Sequence, residues 1–171
     1  MNNIILIGFM GSGKTSVGEK LADQLGIRFV DTDEVIEKKY ERSISSIFAE
    51  HGEPYFRLLE TAVLEELSGD SEPFVMSAGG GLPVQDKNHE YLKKIGTTVY
   101  LKAKKETLVE RLEGDRTRPL LQGGALEERI EALMKEREHI YEAVADLSVE
   151  TDGRETEKIA EEIIARAVQR P

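Results

Sequence analysis

The chain has 171 residues, enough for one domain with a substantial core, and a formal charge of −10 from 33 acidic and 23 basic residues. That balance argues against a general nucleic-acid surface, and the absence of cysteine excludes disulfides and thiolate zinc sites. No apolar run approaches the ~20 residues of a membrane span, and the N-terminus enters the first strand pattern directly, so we expect a cytoplasmic protein without a signal peptide or membrane contact.

Ile4-Ile5-Leu6-Ile7 opens the chain as a short buried strand, predicted over 4–8. Gly8-Phe9-Met10-Gly11-Ser12-Gly13-Lys14-Thr15 follows and fits G-x-x-x-x-G-K-[ST], the phosphate-binding P-loop. An amphipathic stretch from Ser16 to Leu25, with Val17, Leu21 and Leu25 on one stripe, supplies the helix this motif needs. Glycines let such a loop turn its N–H groups inward, and the helix start adds its positive dipole end. Gly11, Ser12, Gly13, Lys14, Thr15 and Ser16 would thus cradle a nucleoside triphosphate. Lys14 would reach the β- and γ-phosphates, and Thr15 would ligate Mg²⁺.

The second strand, 28–31, ends in Asp31-Thr32-Asp33, at the edge where parallel sheets bind ligands. Spacing i, i+2 aims both carboxylates one way: one near the metal, the other on an acceptor hydroxyl. The alternative is that Thr32 or Asp33 merely caps the helix predicted from Glu34 to Tyr40. Residues 32–67 hold more helix than one crossover needs and read as an inserted substrate-binding segment. Within it, Pro54 suits a first helical turn. Arg57 could pair with Glu53 or Glu60, or present its planar fork to a carboxylate.

The third strand, 73–77, ends in Ala78-Gly79-Gly80-Gly81 rather than an aspartate. Asp31 is then the candidate for metal support. The three glycines either let a small ligand approach bare backbone or form a flexible turn before Pro83. A fourth strand is expected over 97–101. Glu113 to Gly124 contains three glycines, two arginines and a proline, and reads as a mobile lid or a plain surface loop. Arg116 and Arg118 are either lid-borne phosphoryl contacts or solvated charges. The helical stretch 125–145 carries Leu126, Ile130, Leu133, Ile140 and Val144 on one stripe, with Arg137 on the same stripe. An inward guanidinium needs an anion, either a protein carboxylate or a ligand's. A last strand is expected over 146–150. Alternating strands and helices imply an α/β domain with a five-stranded parallel sheet covered on both faces.

Taken together, the motifs resemble the shikimate kinase family. They are Gly8 to Thr15, Asp31-Thr32-Asp33, Gly52-Glu53 with Phe56-Arg57 and Glu60, Gly79-Gly80-Gly81, Arg118-Pro119-Leu120-Leu121, and Arg137 ahead of Tyr141. The resemblance spans nearly the whole chain. It implies a P-loop NTPase of the nucleoside-monophosphate-kinase-like kind, a three-layer sandwich with a core of 1–31, 68–112 and 125–171, a substrate-binding segment of 32–67 and a lid of 113–124. It implies ATP-dependent phosphorylation of the 3-hydroxyl of shikimate, with Mg²⁺, by a monomer. Asp33, Arg57, Gly80 and Arg137, with Gly79 and Gly81 beside them, would contact shikimate. Lys14 and Arg118 would stabilise the phosphoryl group in transit, and Thr15 and Asp31 would hold the metal. Arg111 and Arg154 would meet the adenine end. A kinase for a related acid such as gluconate, and a nucleotide-binding regulatory module without catalysis, are the competing readings.

Overall fold

The computed structural model describes residues 2–115, 119–121 and 125–168. Five parallel strands form one sheet: β1 (Asn3–Ile7), β2 (Arg28–Asp31), β3 (Phe74–Ser77), β4 (Gly96–Lys102) and β5 (Leu147–Glu150), in the order β2-β3-β1-β4-β5. Each lies within about one residue of its predicted range. The short apolar runs are unambiguous because both sheet faces are covered: Ile5, Ile7 and Met76 point to one apolar layer, Ile4, Leu6 and Val75 to the other.

The helices are α1 (Lys14–Leu25), α2 (Thr32–Tyr40), α3 (Ile44–Ser68), α4 (His89–Ile95), α5 (Lys105–Leu112), α6 (Leu126–Val144) and α7 (Thr156–Ile163). Helices α1 and α7 pack together on one face of the sheet. Helix α6 covers the other, through Ile130 and Tyr141. Helices α2 and α3 form a satellite unit with its own small core of Ile36, Ile47, Phe56, Leu59 and Val63. Gly52 kinks α3 with φ 82 and ψ 171, and the chain resumes its helix with Pro54 in the first new turn. Among the described residues no helix is long and apolar enough to cross a membrane.

Two local expectations need correction. Neither Thr32 nor Asp33 caps α2. Asp31 does, its Oδ1 accepting from the amides of Asp33 (2.9 Å) and Glu34 (3.3 Å). The chain is still extended at Asp31, as an N-cap requires, and turns helical at Thr32. On α6 the fully buried line is Ile130, Arg137 and Tyr141, steps of seven and four, and Ile140 is only half-buried. Glu127, Glu128, Glu131, Glu155 and Glu157 are exposed, so this part of the acidic charge sits on solvated helix faces.

Strand order sets the position of the site. Leu6 of β1 pairs with Ser77 of β3, and Ser77 pairs with Asp31 of β2. The P-loop, the Asp31-Thr32-Asp33 triplet and the glycine triplet therefore leave three adjacent strand ends side by side. β1 lies inside the sheet and β2 at its edge, so a crevice opens where the chain changes direction.

Candidate active site

One cleft of about 1100 Å³ runs along these strand ends. Its donor side is the P-loop. Gly11 (φ 81) and Gly13 (φ 96) occupy the left-handed region that glycine alone enters readily. Gly13 stands at the N-cap of α1 and no side chain caps that helix. The first-turn N–H groups, which have no intrahelical acceptors, thus face the loop's concave side with the helix dipole behind them. The Lys14 ammonium lies across the loop and donates to Gly8 O (2.8 Å) and Phe9 O (3.0 Å). Ser12 Oγ is buried and has no hydrogen-bond partner among the described residues. Ser16 also lines the cleft.

Thr15 Oγ1 donates to Asp31 Oδ2 at 3.4 Å. Asp31 thus divides its carboxylate: Oδ1 caps α2, Oδ2 faces the P-loop threonine. A hydroxyl and a carboxylate oxygen at one strand end suit a hard divalent cation such as Mg²⁺, which takes oxygen ligands and keeps several waters. Among the described residues there is no group of three or more His, Cys, Asp or Glu that could enclose a metal. This pair fits an ion held mainly by substrate phosphates.

The acceptor side is a chamber walled by α2, α3, α6 and the glycine triplet. Thr32, fully buried, accepts from the Gly79 amide through Oγ1 (3.0 Å) and ties the aspartate triplet to the glycine triplet. The glycines then leave room for charged side chains, two at Gly79 and one each at Gly80 and Gly81. A Cβ on Gly79 would lie 2.8 Å from Asp33 Oδ1 and 3.0 Å from Glu60 Oε2. On Gly80 it would lie 3.2 Å from Arg137 Nη1. On Gly81 it would run into the Arg57 guanidinium. The triplet is a close-approach floor and not a flexible turn: Leu82, next along, is fully buried and starts a 3₁₀ turn through Val84.

Both arginines expected on the acceptor side are buried. Arg57 donates to Glu60 Oε1 (2.7 Å) and lies 3.8 Å from Glu53, with its guanidinium over the Phe56 ring. Arg137 lies over Phe9, and its Nη1 has no hydrogen-bond partner among the described residues. Among the described residues no carboxylate lies within ion-pair distance of Arg137, although its charge bears on Glu60 and Tyr141, and Nη1 lies beside Gly80. Tyr141, one turn on, donates to Gly80 O at 2.5 Å. Burial raises the Tyr141 phenol above its ordinary range, so it stays a neutral donor.

Glu60 is fully buried, and its carboxyl is pushed up to about 7, chiefly by burial and partly by the charge of Asp33, against the pull of Arg57. The sequence reading gave Glu60 as a possible partner of Arg57 and as part of the family motif, with no role of its own. Its place in the cleft was missed, although its spacing of three from Arg57 on a helix was the available signal.

At the far end, Arg111 on α5 donates to Gly11 O (2.9 Å) and Arg154 donates to Glu150 O (2.9 Å). Arg154 also pairs with Glu162 at 3.0 Å. Both line the cleft with Lys14 and the P-loop, far along the chain from it. Arg116 and Arg118 lie outside the described residues, as does half of the predicted lid. Of its end, Leu121 packs into the core beneath α6, and Leu120 O accepts from Arg129 at 2.8 Å.

A family model described as shikimate kinase matches residues 10–168, most of the chain. The chain belongs to the shikimate kinase family. It is 45% identical over 166 residues to a shikimate kinase of Persephonella marina, covering 97% of this chain and 99% of that protein. A shikimate kinase of Thermodesulfovibrio yellowstonii is 44% identical, with 96% and 94% covered. Among solved structures, the shikimate kinase from Acinetobacter baumannii in complex with shikimate superposes with a TM-score of 0.92 at 40% identity, covering 96% of this chain and 91% of that one. A gluconokinase from Sinorhizobium meliloti, at TM-score 0.62 and 19% identity, shares the fold alone.

Proposed function

We infer that this chain catalyses the ATP-dependent phosphorylation of shikimate at its 3-hydroxyl, giving shikimate 3-phosphate and ADP. Family membership supports the reaction. The observation that carries the reading for this chain's own residues is the acceptor chamber: two buried guanidiniums, one with an open donor, facing two carboxylates across a glycine floor. A carboxylate-bearing polyol meets both sets at once. The regulatory-module reading has no use for an acceptor chamber beside the phosphate loop.

Arg57 and Arg137 would hold the acid's carboxylate, and the fork of Arg137 would gain the acceptor that the fold leaves open. Asp33, beside Gly79 at the N-terminus of α2, would orient the 3-hydroxyl and accept its proton as the oxygen bonds to the γ-phosphorus. The bond from that phosphorus to the β-bridging oxygen breaks, and ADP departs. Lys14, and Arg118 from the lid of 113–124, would neutralise charge on the phosphoryl group in transit. Thr15 and Asp31 Oδ2 would hold Mg²⁺, which would supply positive charge to offset that of the triphosphate. Arg111 and Arg154 would meet the adenine end. Residues 32–67 would act as the substrate-binding segment, and closure of the lid of 113–124 would exclude water. The remaining parts of the reading are a cytoplasmic monomer that does not bind nucleic acid.

A coupled ADP-release assay with shikimate tests the reading. Shikimate-stimulated turnover, absent with gluconate, is expected. A folded sample that releases no more ADP with shikimate than without it refutes the reading.

A further inference from the structure

Glu60 takes no part in phosphoryl transfer, yet it is the most deeply buried acid of the chamber. Its Oε1 is bound to Arg57 Nη1 at 2.7 Å, and its Oε2 has no hydrogen-bond partner among the described residues. That second oxygen faces Gly79, where a Cβ would sit 3.0 Å from it and 2.8 Å from Asp33 Oδ1. The ionisable groups that bear on it are Arg57 and its neighbour Glu53 from α3, Asp33 from α2, and Arg137 and Tyr141 from α6. The glycine floor adds none.

Among the described residues, the charges that bear on Glu60 decide what an arriving acid meets, and Glu60 is the buried acid whose proton burial favours. With Asp33 and Glu60 both ionised, they offset Arg57 and Arg137. A bound monoanion then leaves a net negative charge in a low-dielectric chamber. With Glu60 neutral, the same monoanion brings the chamber to balance. We propose that Glu60 couples binding of the acceptor acid to uptake of a proton, the chamber taking a monoanionic acid with Glu60 neutral and holding it weakly with Glu60 ionised. The proposal rests on the proposed function only in taking a carboxylic acid as acceptor.

The free protein is already poised for this, since burial lifts the Glu60 carboxyl to about 7. A substrate carboxylate on Arg57 shares the guanidinium that now lowers it and adds a like charge, so binding raises it further. Below about pH 7 the proton is present before and after binding, and affinity is flat. Above that, the proton is taken up on binding and affinity falls as pH rises. It levels off only above the bound-state value. If the bound value is about one unit higher, linkage gives a roughly fivefold weakening of the acid between pH 6 and 8, and uptake of about half a proton at pH 7.5. A neutral polyol draws no such benefit, so the same group favours anionic acceptors.

The test is calorimetric titration of shikimate into the intact protein at pH 7.5, in buffers of different ionisation enthalpy, with Glu60→Gln alongside. The carboxamide oxygen keeps an acceptor for Arg57 but cannot titrate. Wild type should take up about half a proton, and Glu60→Gln close to none, binding shikimate with one affinity from pH 6 to 8. Binding by wild type without buffer-dependent heat overturns the proposal while leaving the kinase reading intact. Uptake that persists in Glu60→Gln overturns it too, because another group then carries the proton. Loss of affinity in Glu60→Gln by the same factor at every pH, with no uptake in wild type, would make Glu60 a structural anchor of Arg57 and nothing more. Absence of shikimate binding in any buffer refutes the kinase reading itself.

Discussion

Replacing Gly79 with alanine tests whether the acceptor carboxylates are held against a wall. None of Gly79, Gly80 and Gly81 has a φ in the left-handed region, so alanine is conformationally acceptable at each and its effect is steric. At Gly79 the new Cβ would sit 2.8 Å from Asp33 Oδ1 and 3.0 Å from Glu60 Oε2, where ordinary contact begins at 3.4 Å. Asp33 must therefore retreat by about 0.6 Å from its position in the chamber. A misplacement of ~1 Å can cost ~100-fold in rate, so kcat should fall about 10- to 50-fold. KM for ATP should stay within about twofold, because the P-loop is untouched. Gly81→Ala is the matched control: its Cβ displaces Arg57, not Asp33. There the KM for shikimate should rise about tenfold or more, with a smaller change in kcat. Steady-state ADP release with each substrate varied separates the two patterns. Wild-type kcat in Gly79→Ala, or identical kinetic defects in the two variants, would refute the idea that each glycine serves a different side chain.

Three further predictions follow from other parts of the cleft. Arg137→Ala should weaken shikimate about 100-fold in a binding titration and leave ATP binding near wild type; equal loss of both ligands would make it a structural residue. Asp31→Asn keeps an oxygen able to cap α2, so its thermal stability should stay near wild type while the Mg²⁺ concentration for half-maximal activity rises; Asp31→Ala should add about 1 kcal/mol of lost stability in urea unfolding. The raised Glu60 carboxyl means that the folded state binds its proton more tightly than the unfolded state. Stability from this group is complete below about pH 4.5 and is lost as pH rises through about 7. Glu60→Gln should therefore be more stable than wild type at pH 8, by up to about 3 kcal/mol, and nearly equal at pH 4.5, as read by melting at the two pH values.

The parts of the site that were legible in sequence are those built from local geometry. The P-loop needs a strand, a set of glycines and a helix in immediate succession, and Ile4 to Leu25 contains all three. The strands were legible because parallel, doubly covered strands are uninterrupted apolar runs. Arg137 stood out because a cation on an apolar stripe violates the pattern. What remained hidden depended on distant partners. That Asp31 caps α2 with one oxygen and meets Thr15 with the other needs both β2 and α1 in place. That Thr32 holds Gly79 needs the β2–β3 register. The role of Glu60 could not be seen because its burial comes from α2, α6 and the glycine floor closing around α3. On the helix alone it looks like an ordinary ion-pair partner of Arg57.

Arg137 also bears on how the protein discriminates among ligands. Its Nη1 is buried by the fold itself, beside Gly80. An incoming acid meets a guanidinium that is already held over Phe9. A molecule of the same shape with a neutral, non-accepting group at that point would leave the donor as it is and lose its own waters for no return. Competitive ligands for this cleft should therefore be ranked first by the acceptor they present at Arg137, and only then by how well they fill the chamber.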